Sequence, residues 1–327
     1  MRAPLSRTLA AAAALATALA LAACTGPAPS TPAASPTPTD DAAAGPTLKP
    51  VDEAAITALF EEQAGSFGQP GAVMLLRTPE GAALDADPDR VWQPEELVAM
   101  ALPLPVDFEP GTGYHYSNTN TILLGLIAEQ LEGKPLAEIY QERLFTPLGL
   151  TETSFPAVED ASLPTPHSDG YYWWTNVNTI GSSKLPPDLM GAAEAGTFLP
   201  NDGTLDNPSW AWSAGAGIST AGDLADWVEA LGGKGGELLS PELQEARMNS
   251  FMATSEEPGA ARYGWNIGEF GQFLGHSGEL PGFNSFMGYD PVADVTLVVW
   301  ANLAPAANGQ GPAAMIARSL ITDLYTS

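Results

Sequence analysis

The stretch Glu109-Pro110-Gly111-Thr112-Gly113-Tyr114-His115-Tyr116-Ser117-Asn118-Thr119-Asn120 runs directly into the apolar segment Thr121-Ile122-Leu123-Leu124-Gly125-Leu126-Ile127. A turn rich in proline and glycine ends here at a cluster of hydroxyl and amide side chains, and apolar positions then recur at helical spacing. Ser117, Asn118 and Thr119 are residue types that cap helix N-termini, because their side-chain oxygens accept hydrogen bonds from free backbone N–H groups. The stretch therefore predicts a capped helix that ends near Gly133.

The C-terminal third contains a second distinctive stretch, which reads Gly275-His276-Ser277-Gly278-Glu279-Leu280-Pro281-Gly282-Phe283-Asn284. Around it the spacing of apolar residues changes from the helical period to the alternation of half-buried strands. This alternation predicts an antiparallel meander of four strands and a closing helix, at residues 263–270, 272–277, 284–289, 295–301 and 312–325. A lone histidine on a strand is most often structural, so any functional interpretation of His276 depends on the residues around it.

Together the two stretches resemble motifs of the serine β-lactamase and D-alanyl-D-alanine carboxypeptidase family, in its class C and esterase-like branch. Residues 109–118 are similar to the second active-site motif of that family, which contains Tyr-Ser-Asn. His276-Ser277-Gly278 resembles the third motif, with histidine in place of the lysine of Lys-Thr-Gly. Two further segments, 147–155 and 215–224, also match the family pattern. The resemblance implies an α+β fold, in which terminal helices flank an antiparallel sheet and a mostly helical lobe is inserted.

The resemblance also implies roles for five residues of the expected cleft. Tyr116 would take part in acid–base chemistry, and Asn118 would orient the substrate amide. The edge strand with His276, Ser277 and Gly278 would form one wall of the substrate site, where the glycine lets the substrate backbone approach closely. The implied substrates are cell-wall D-alanyl-D-alanine peptides, β-lactams or small esters. The implied reaction is acyl transfer or hydrolysis, and no cofactor is expected.

One part of the family pattern is absent from this sequence. Family members attack through the serine of a Ser-x-x-Lys motif, in which one helical turn places both side chains on the same face. No lysine here has a serine three positions before it, since the residues found there are Pro46, Leu131, Gly181 and Leu231. We expect that the first hairpin and the nucleophile helix are deleted near residues 85–90, which would leave the chain inactive. Ser117 has no lysine beside it and is a poor substitute nucleophile.

The N-terminal 50 residues indicate export and a lipid anchor. Residues 1–23 combine a short basic end with an apolar run that is too short to span a bilayer, which is typical of a signal peptide. The run ends in Leu21-Ala22-Ala23-Cys24, which resembles a bacterial lipobox, so we expect a lipid on Cys24, the only cysteine. Residues 24–50, rich in proline, alanine and threonine, would form a tether. The domain at residues 51–327 would then lie at the outer face of the bacterial cell membrane.

The charge balance excludes some classes of partner. The formal net charge is −27, from 12 basic and 39 acidic residues. Two of the basic residues, Arg2 and Arg7, lie in the predicted signal peptide, so the mature chain would be more acidic still. Such a surface repels nucleic acid and anionic lipid headgroups. The 3 histidines are scattered and show no metal-ligand spacing, so no metal site is predicted.

Three other interpretations of the sequence compete with membership of this hydrolase family. Residues 275–279 come close to the nucleophile elbow of an α/β-hydrolase, but Glu279 occupies the last glycine position and no histidine follows Ser277 in the chain. The second alternative is a non-catalytic lipoprotein that keeps the cleft and binds peptidoglycan peptides or a partner. The third is a damaged product without function.

Overall fold

The computed structural model describes residues 88–102, 108–109, 112–173, 184–233, 238–255 and 261–325. The predicted signal peptide, the lipid anchor on Cys24 and the tether lie outside the described residues. Residues 85–87 of the predicted deletion site near 85–90 lie outside them as well. These interpretations therefore stay predictions, and the structure bears on the part of the domain that follows them.

Helices are the main regular elements of the described chain before residue 250. In chain order they are α1 (Pro94–Ala101), α2 (Asn118–Glu132), α3 (Leu136–Tyr140), α4 (Thr146–Leu148), α5 (Pro187–Glu194), α6 (Ala221–Leu231) and α7 (Pro241–Met248). A π-helical turn, Gln141–Phe145, joins α3 to α4, and 3₁₀ turns cover Pro208–Trp210 and Trp212–Ala214. A closing helix, α8 (Pro312–Leu324), follows the strands. Within the described ranges, no helix has the length and apolar character needed to cross a membrane.

The strands form two antiparallel sheets. β1 (Tyr171–Tyr172) pairs with β2 (Asn201–Asp202). The other six strands form one sheet in sequence order: β3 (Met252–Ala253), β4 (Arg262–Gly264), β5 (Ile267–Phe270), β6 (Phe273–Leu280), β7 (Phe283–Asp290) and β8 (Val295–Ala301). The large sheet and the closing helix confirm the predicted antiparallel meander.

One strand prediction is wrong. Residues 263–270 do not form a single strand, because β4 and β5 are the two arms of a hairpin that turns at Trp265-Asn266. Asn266 has a φ of 55°, which lies in the left-handed region that asparagine enters more readily than most residues. The large apolar neighbours Trp265 and Ile267 continue the alternation across the turn and conceal it in the sequence.

Helices pack against both faces of the large sheet. On one face α8 contributes to a core whose buried residues are Phe286, Val299, Ala313, Ile316, Ala317 and Leu320. On the other face Leu231 of α6 packs with Phe251, Ile267 and Leu274. A separate cluster holds the helical part together, with Trp92, Leu97, Ile122, Leu136, Trp210 and Trp212 among its buried residues. This arrangement agrees with the predicted sheet, closing helix and mostly helical lobe.

The helix that follows Tyr-Ser-Asn is capped as predicted. Ser117 is the N-cap of α2, and its hydroxyl accepts a hydrogen bond from the backbone N–H of Asn120 at 3.3 Å. The helix ends at Gly133. Its middle lies close to a 3₁₀ turn, since a Cβ atom at Gly125 would come within 2.8 Å of the Ser213 hydroxyl oxygen. Capping and this close packing fix the start of α2, where the candidate site begins.

A buried aspartate joins the two further family-like segments. The carboxylate of Asp223 on α6 accepts hydrogen bonds from the backbone N–H of Glu152 and from the hydroxyl of Thr153, both at 2.8 Å. Next to them, Ser154 and Ile218 form an isolated antiparallel bridge. Segments 147–155 and 215–224 therefore contact each other. Their polar residues stabilise the position of α6 against the large sheet.

A buried asparagine joins the strand of the candidate site to the closing helix. Asn284 on β7 is 1% exposed. Its amide donates to the carbonyl of Gly278 at 2.8 Å, and its carbonyl oxygen accepts from the backbone N–H groups of Ala313 at 2.7 Å and Ala314 at 3.3 Å. These N–H groups have no partner inside the helix at its first turn, so Asn284 acts as a cap supplied from the sheet. The position of Gly278 thus depends on α8.

Candidate active site

Four rings meet where the start of α2 approaches β6. The ring centroids of Tyr116 and His276 are 6.2 Å apart, and those of Tyr263 and His276 are 5.6 Å apart. Tyr263 also lies 6.3 Å from Tyr116 and 5.9 Å from Tyr114. We call this group of Tyr114, Tyr116, Tyr263 and His276 the aromatic wall. It brings together the tyrosine and the histidine of the two motifs, which are 160 positions apart in the sequence.

The aromatic wall lies beside an unpaired length of β6. Strand β5 pairs with residues 273–275 of β6 and goes no further, whereas β7 pairs with residues 274–280. Within the described residues, the length from His276 to Leu280 therefore has an open edge. An open edge presents backbone N–H and C=O groups to an extended ligand. This agrees with the interpretation of His276 to Gly278 as an edge strand.

The predicted residues of β6 lie on different faces of the strand. His276 is opposite Met287 and Ser277 is opposite Phe286, and Phe286 packs towards α8. Because cross-strand partners share a face, the Ser277 side chain is directed towards α8 and away from His276. Its backbone remains at the open edge. The predicted substrate contact of Ser277 stays a prediction, and the register favours its backbone as the group that makes it.

Gly278 packs closely against the neighbouring strand. It lies opposite Ser285, and a Cβ atom at position 278 would come within 2.4 Å of the Ser285 hydroxyl oxygen but only within 3.8 Å of its Cβ. Because a serine hydroxyl can rotate to another position, this packing alone does not require glycine. Close approach of a substrate backbone, the role predicted for this glycine, stays a prediction. Ser285 places a hydroxyl on the same face as His276, and sequence reasoning did not single it out.

The remaining predicted residues lie at the start of α2. Tyr116 is in the extended segment just before the helix and is 47% exposed. Asn118 is the first residue of α2, so its side chain starts at the same helix end, one residue beyond the cap. Ser117 lies between them, and its hydroxyl oxygen is engaged by Asn120 as described above. The predicted roles of Tyr116 and Asn118 stay predictions, and the two residues lie on either side of the helix cap.

The histidine of the wall is held in one neutral form. Burial lowers the pKa of His276 below its usual value, so the ring is uncharged at neutral pH. Nδ1 contacts the carbonyl oxygen of Ser277. Since a carbonyl oxygen can only accept, Nδ1 carries the proton and Nε2 keeps a lone pair. His276 therefore offers a hydrogen-bond acceptor, whereas the family lysine that it replaces offers a cationic donor.

The tyrosines of the wall are neutral as well. Burial raises the pKa of Tyr116, and the neighbouring Tyr114 raises it further. Burial also raises the pKa of Tyr114 and, together with repulsion from Tyr116 and Tyr114, strongly raises the pKa of Tyr263. Among the described residues, no basic side chain acts on these groups. At neutral pH the wall thus consists of three phenol donors and one imidazole acceptor, without net charge.

Tyr263 is the wall residue that sequence reasoning missed. Its hydroxyl oxygen is buried and has no hydrogen-bond partner within the described part of the chain. The preceding residue, Arg262, does not serve it, because the Arg262 guanidinium donates to both carboxylate oxygens of Glu269, at 2.8 and 2.9 Å. The only sequence signal for Tyr263 was its place at the start of a predicted strand, which says nothing about its neighbours in space.

No metal site is evident in the described residues. No three histidine, cysteine, aspartate or glutamate side chains there come together in a way that could hold a metal ion. What the arrangement offers is a strand edge for an extended ligand, with neutral donors and one acceptor beside it.

Comparison with known proteins identifies the family. The chain matches the Beta-lactamase family over residues 74–319, which is most of its length, and it belongs to that family. It is 29% identical over 166 residues to esterase EstB of Burkholderia gladioli, covering 50% of this chain and 40% of that protein. It is also 26% identical over 212 residues to unguisins hydrolase ungD' of Aspergillus campestris, covering 62% of this chain and 36% of that protein.

Solved structures agree with this assignment. A D-stereospecific amidohydrolase from a Streptomyces species superposes with a TM-score of 0.55 at 25% sequence identity, over 77% of this chain and 65% of that chain. The fold is therefore the α+β fold of the β-lactamase and transpeptidase family, as predicted. The chain spans less than half the length of the two curated relatives named above.

Proposed function

We propose that this protein is a lipid-anchored member of the β-lactamase family that binds small amide or ester compounds, cell-wall peptides among them, without forming an acyl-enzyme. Relatives of the chain include an esterase and a D-stereospecific amidohydrolase, which supports ligands with amide or ester bonds. Cleavage in such enzymes proceeds through attack of a serine on the substrate carbonyl and transfer of a proton to the leaving group. In this proposal the chain retains the groups that bind a substrate and lacks the nucleophilic serine and the lysine that activates it.

The observation that carries the proposal is that the sequence contains no Ser-x-x-Lys motif, and the ionisation of Tyr116 supports it. A tyrosine can accept a proton from a nucleophile only when its own pKa is lowered, which a nearby cation achieves. Here burial and Tyr114 raise the pKa of Tyr116. No described basic side chain opposes that shift, and the sequence offers no Ser-x-x-Lys lysine to do so. Tyr116 thus keeps its proton at neutral pH and serves as a donor.

Ser117 does not replace the missing nucleophile in this proposal. Its hydroxyl oxygen accepts the backbone N–H of Asn120 as the cap of α2. Using it for attack would cost the cap, which is worth about 1 kcal/mol. Nor does the adjacent Tyr116, which keeps its own proton, supply a base to activate it. The remaining function is recognition, through the open edge of β6, the aromatic wall and Asn118.

Covalent labelling tests the absence of an acyl-enzyme. The purified full chain is incubated with a fluorescent penicillin and, separately, with a fluorophosphonate, and its intact mass is measured. We expect no adduct from a folded, monodisperse protein. A stoichiometric adduct would overturn the proposal, and peptide mapping would then examine Ser117 first. The fluorophosphonate is needed because, unlike penicillin, it carries no carboxylate and reports on activated serines in general.

The location is proposed from the sequence alone. A lipid on Cys24 would hold the domain at the outer face of the bacterial cell membrane, with residues 24–50 as a tether. The Cys24→Ala variant is then expected to leave the membrane fraction, and metabolic labelling with a fatty acid should mark the parent protein only. Membrane association that persists unchanged in the variant would contradict the lipid anchor without affecting the binding proposal.

A further inference from the structure

We infer that the site selects ligands with an uncharged carboxamide end over ligands that end in a carboxylate. This inference rests on the proposed binding function and specifies its ligand. It is drawn from the hydrogen-bonding groups that the aromatic wall presents at the open edge of β6, and from the basic side chains that are engaged elsewhere.

The hydrogen-bonding groups of the wall match a carboxamide. His276 presents the lone pair of Nε2, since Nδ1 donates to the Ser277 carbonyl. Tyr116 and Tyr263 present hydroxyl groups that donate. A carboxamide has an N–H for the imidazole and a carbonyl oxygen for the phenols, so both kinds of group find partners. A carboxylate has acceptors only, and its negative charge would face the imidazole lone pair.

The Tyr263 hydroxyl needs such a partner. It is buried without a hydrogen bond in the described structure, and a buried donor without an acceptor costs about 1–3 kcal/mol. A ligand carbonyl that accepts from it recovers that cost. Tyr116 is the most exposed member of the wall, and its ring centroid lies 6.3 Å from that of Tyr263, so we expect the ligand to enter beside it.

Among the described residues, no basic side chain provides a counter-charge for a carboxylate at the wall. The nearest basic residue in sequence, Arg262, is paired with Glu269. Three further described basic side chains are paired with carboxylates, namely Arg90 with Glu96, Lys134 with Glu142 and Arg143 with Glu132. Moving a carboxylate out of water without a cation is strongly unfavourable. The net charge of −27 adds a repulsive field for any anion that approaches.

The test compares three ligands that differ only at one end. N-acetyl-D-alanyl-D-alaninamide, its methyl ester and the free acid N-acetyl-D-alanyl-D-alanine are titrated against the full chain by calorimetry at pH 7.5 and 0.15 M salt. We expect the amide to bind at least about tenfold more tightly than the acid. The ester, which lacks the N–H, should fall between them.

Two variants and one control test which residues produce the preference for the amide. Tyr263→Phe should weaken binding of the amide by about three- to tenfold and leave the acid unchanged. His276→Lys should raise the affinity for the acid by about tenfold, because it supplies the missing cation. Tyr171→Phe is the matched control, since the Tyr171 hydroxyl contacts Asp169 and no residue of the wall. Circular dichroism verifies that each variant is folded.

The outcomes separate the two proposals. Equal or tighter binding of the acid would overturn the selection by charge while the binding function stands. If the amide is preferred but Tyr263→Phe and the Tyr171→Phe control behave alike, the assignment of Tyr263 is overturned. Absence of measurable binding by all three ligands to a folded protein would overturn both the inference and the proposed function.

Discussion

Buried polar groups between the large sheet and α8 are hydrogen-bonded, whereas one buried hydroxyl of the aromatic wall is not, within the described part of the chain. Asn284 makes three hydrogen bonds that join β7 to β6 and α8. Asp290 accepts from two backbone N–H groups of the following turn and from the hydroxyl of Tyr325. Tyr263, by contrast, has a buried hydroxyl without a partner among the described residues. Satisfied polar groups hold a scaffold in one arrangement, whereas the Tyr263 hydroxyl is left for the ligand that we propose at the wall.

The largest expected loss of stability comes from substituting Asn284, the buried side chain with three hydrogen bonds. Asn284→Ala would leave the carbonyl of Gly278 and the first N–H groups of α8 without partners in the core. We expect a loss of about 2–4 kcal/mol in the free energy of unfolding, measured by urea denaturation of the full chain. The control is Asn308→Ala, a change at an exposed loop position, which should cost less than about 1 kcal/mol. Similar losses in both variants would contradict the scaffold role of Asn284.

A pH-dependent effect is expected at Glu279, which lies beside Asn284 near the start of α8. Burial raises the pKa of Glu279 from 4.5 to about 7. The unfolded chain therefore loses this proton at lower pH than the folded chain does, so the stability of the fold falls as pH rises from 4.5 to 7. Glu279→Gln removes this loss and should stabilise the protein by up to about 3 kcal/mol at pH 8 and by little at pH 5.

Unfolding experiments at the two pH values check this prediction. Glu245→Gln on α7 changes an exposed carboxyl and serves as the control, with little expected effect at either pH. An advantage of Glu279→Gln that is the same at pH 5 and pH 8 would show that the ionisation of Glu279 is not its cause.

A pair of matched substitutions tests the comparison directly. Tyr325→Phe removes a hydroxyl that donates to Asp290 and should cost about 1–3 kcal/mol, because it leaves a buried carboxylate with one partner fewer. Tyr263→Phe removes a hydroxyl without a partner among the described residues and should raise the free energy of unfolding by up to about 1–3 kcal/mol. Chemical denaturation of both variants gives the difference. If Tyr263→Phe costs as much as Tyr325→Phe, the Tyr263 hydroxyl is satisfied in solution and the contrast fails.

The smallest expected effect is the pH dependence of ligand binding. The pKa values of Tyr116 and Tyr263 are raised, and that of His276 is lowered. None of these groups changes its charge between pH 7 and pH 9, so the affinity for a carboxamide should change by less than about twofold over that range. Calorimetric titration at three pH values measures it. A steep loss of affinity above pH 8 would reveal a phenolate in the wall.

Local signals predicted much of this fold. The cap at Ser117, the stop at Gly133 and the strand alternation after residue 270 each depend on neighbouring residues, and the structure confirms them. The turn at Asn266 was not predicted, because its neighbours Trp265 and Ile267 continue the alternation of apolar residues. The aromatic wall could be predicted only in part, since Tyr116 and His276 lie in recognisable motifs but Tyr263 reaches them through the pairing of β4, β5 and β6. Whether Ser277 faces the site likewise depends on the register with β7, which its own motif does not encode.

One measurement tests most directly whether the site binds without reacting. The full chain and N-acetyl-D-alanyl-D-alaninamide are followed in a single sample by proton NMR for a day, recording saturation transfer to the ligand and the signals of cleaved product. We predict saturation transfer that an excess of a second carboxamide with separate proton signals abolishes, with no product above a protein-free sample. Product that accumulates in proportion to protein concentration would contradict it and would mean that this chain supplies a nucleophile after all.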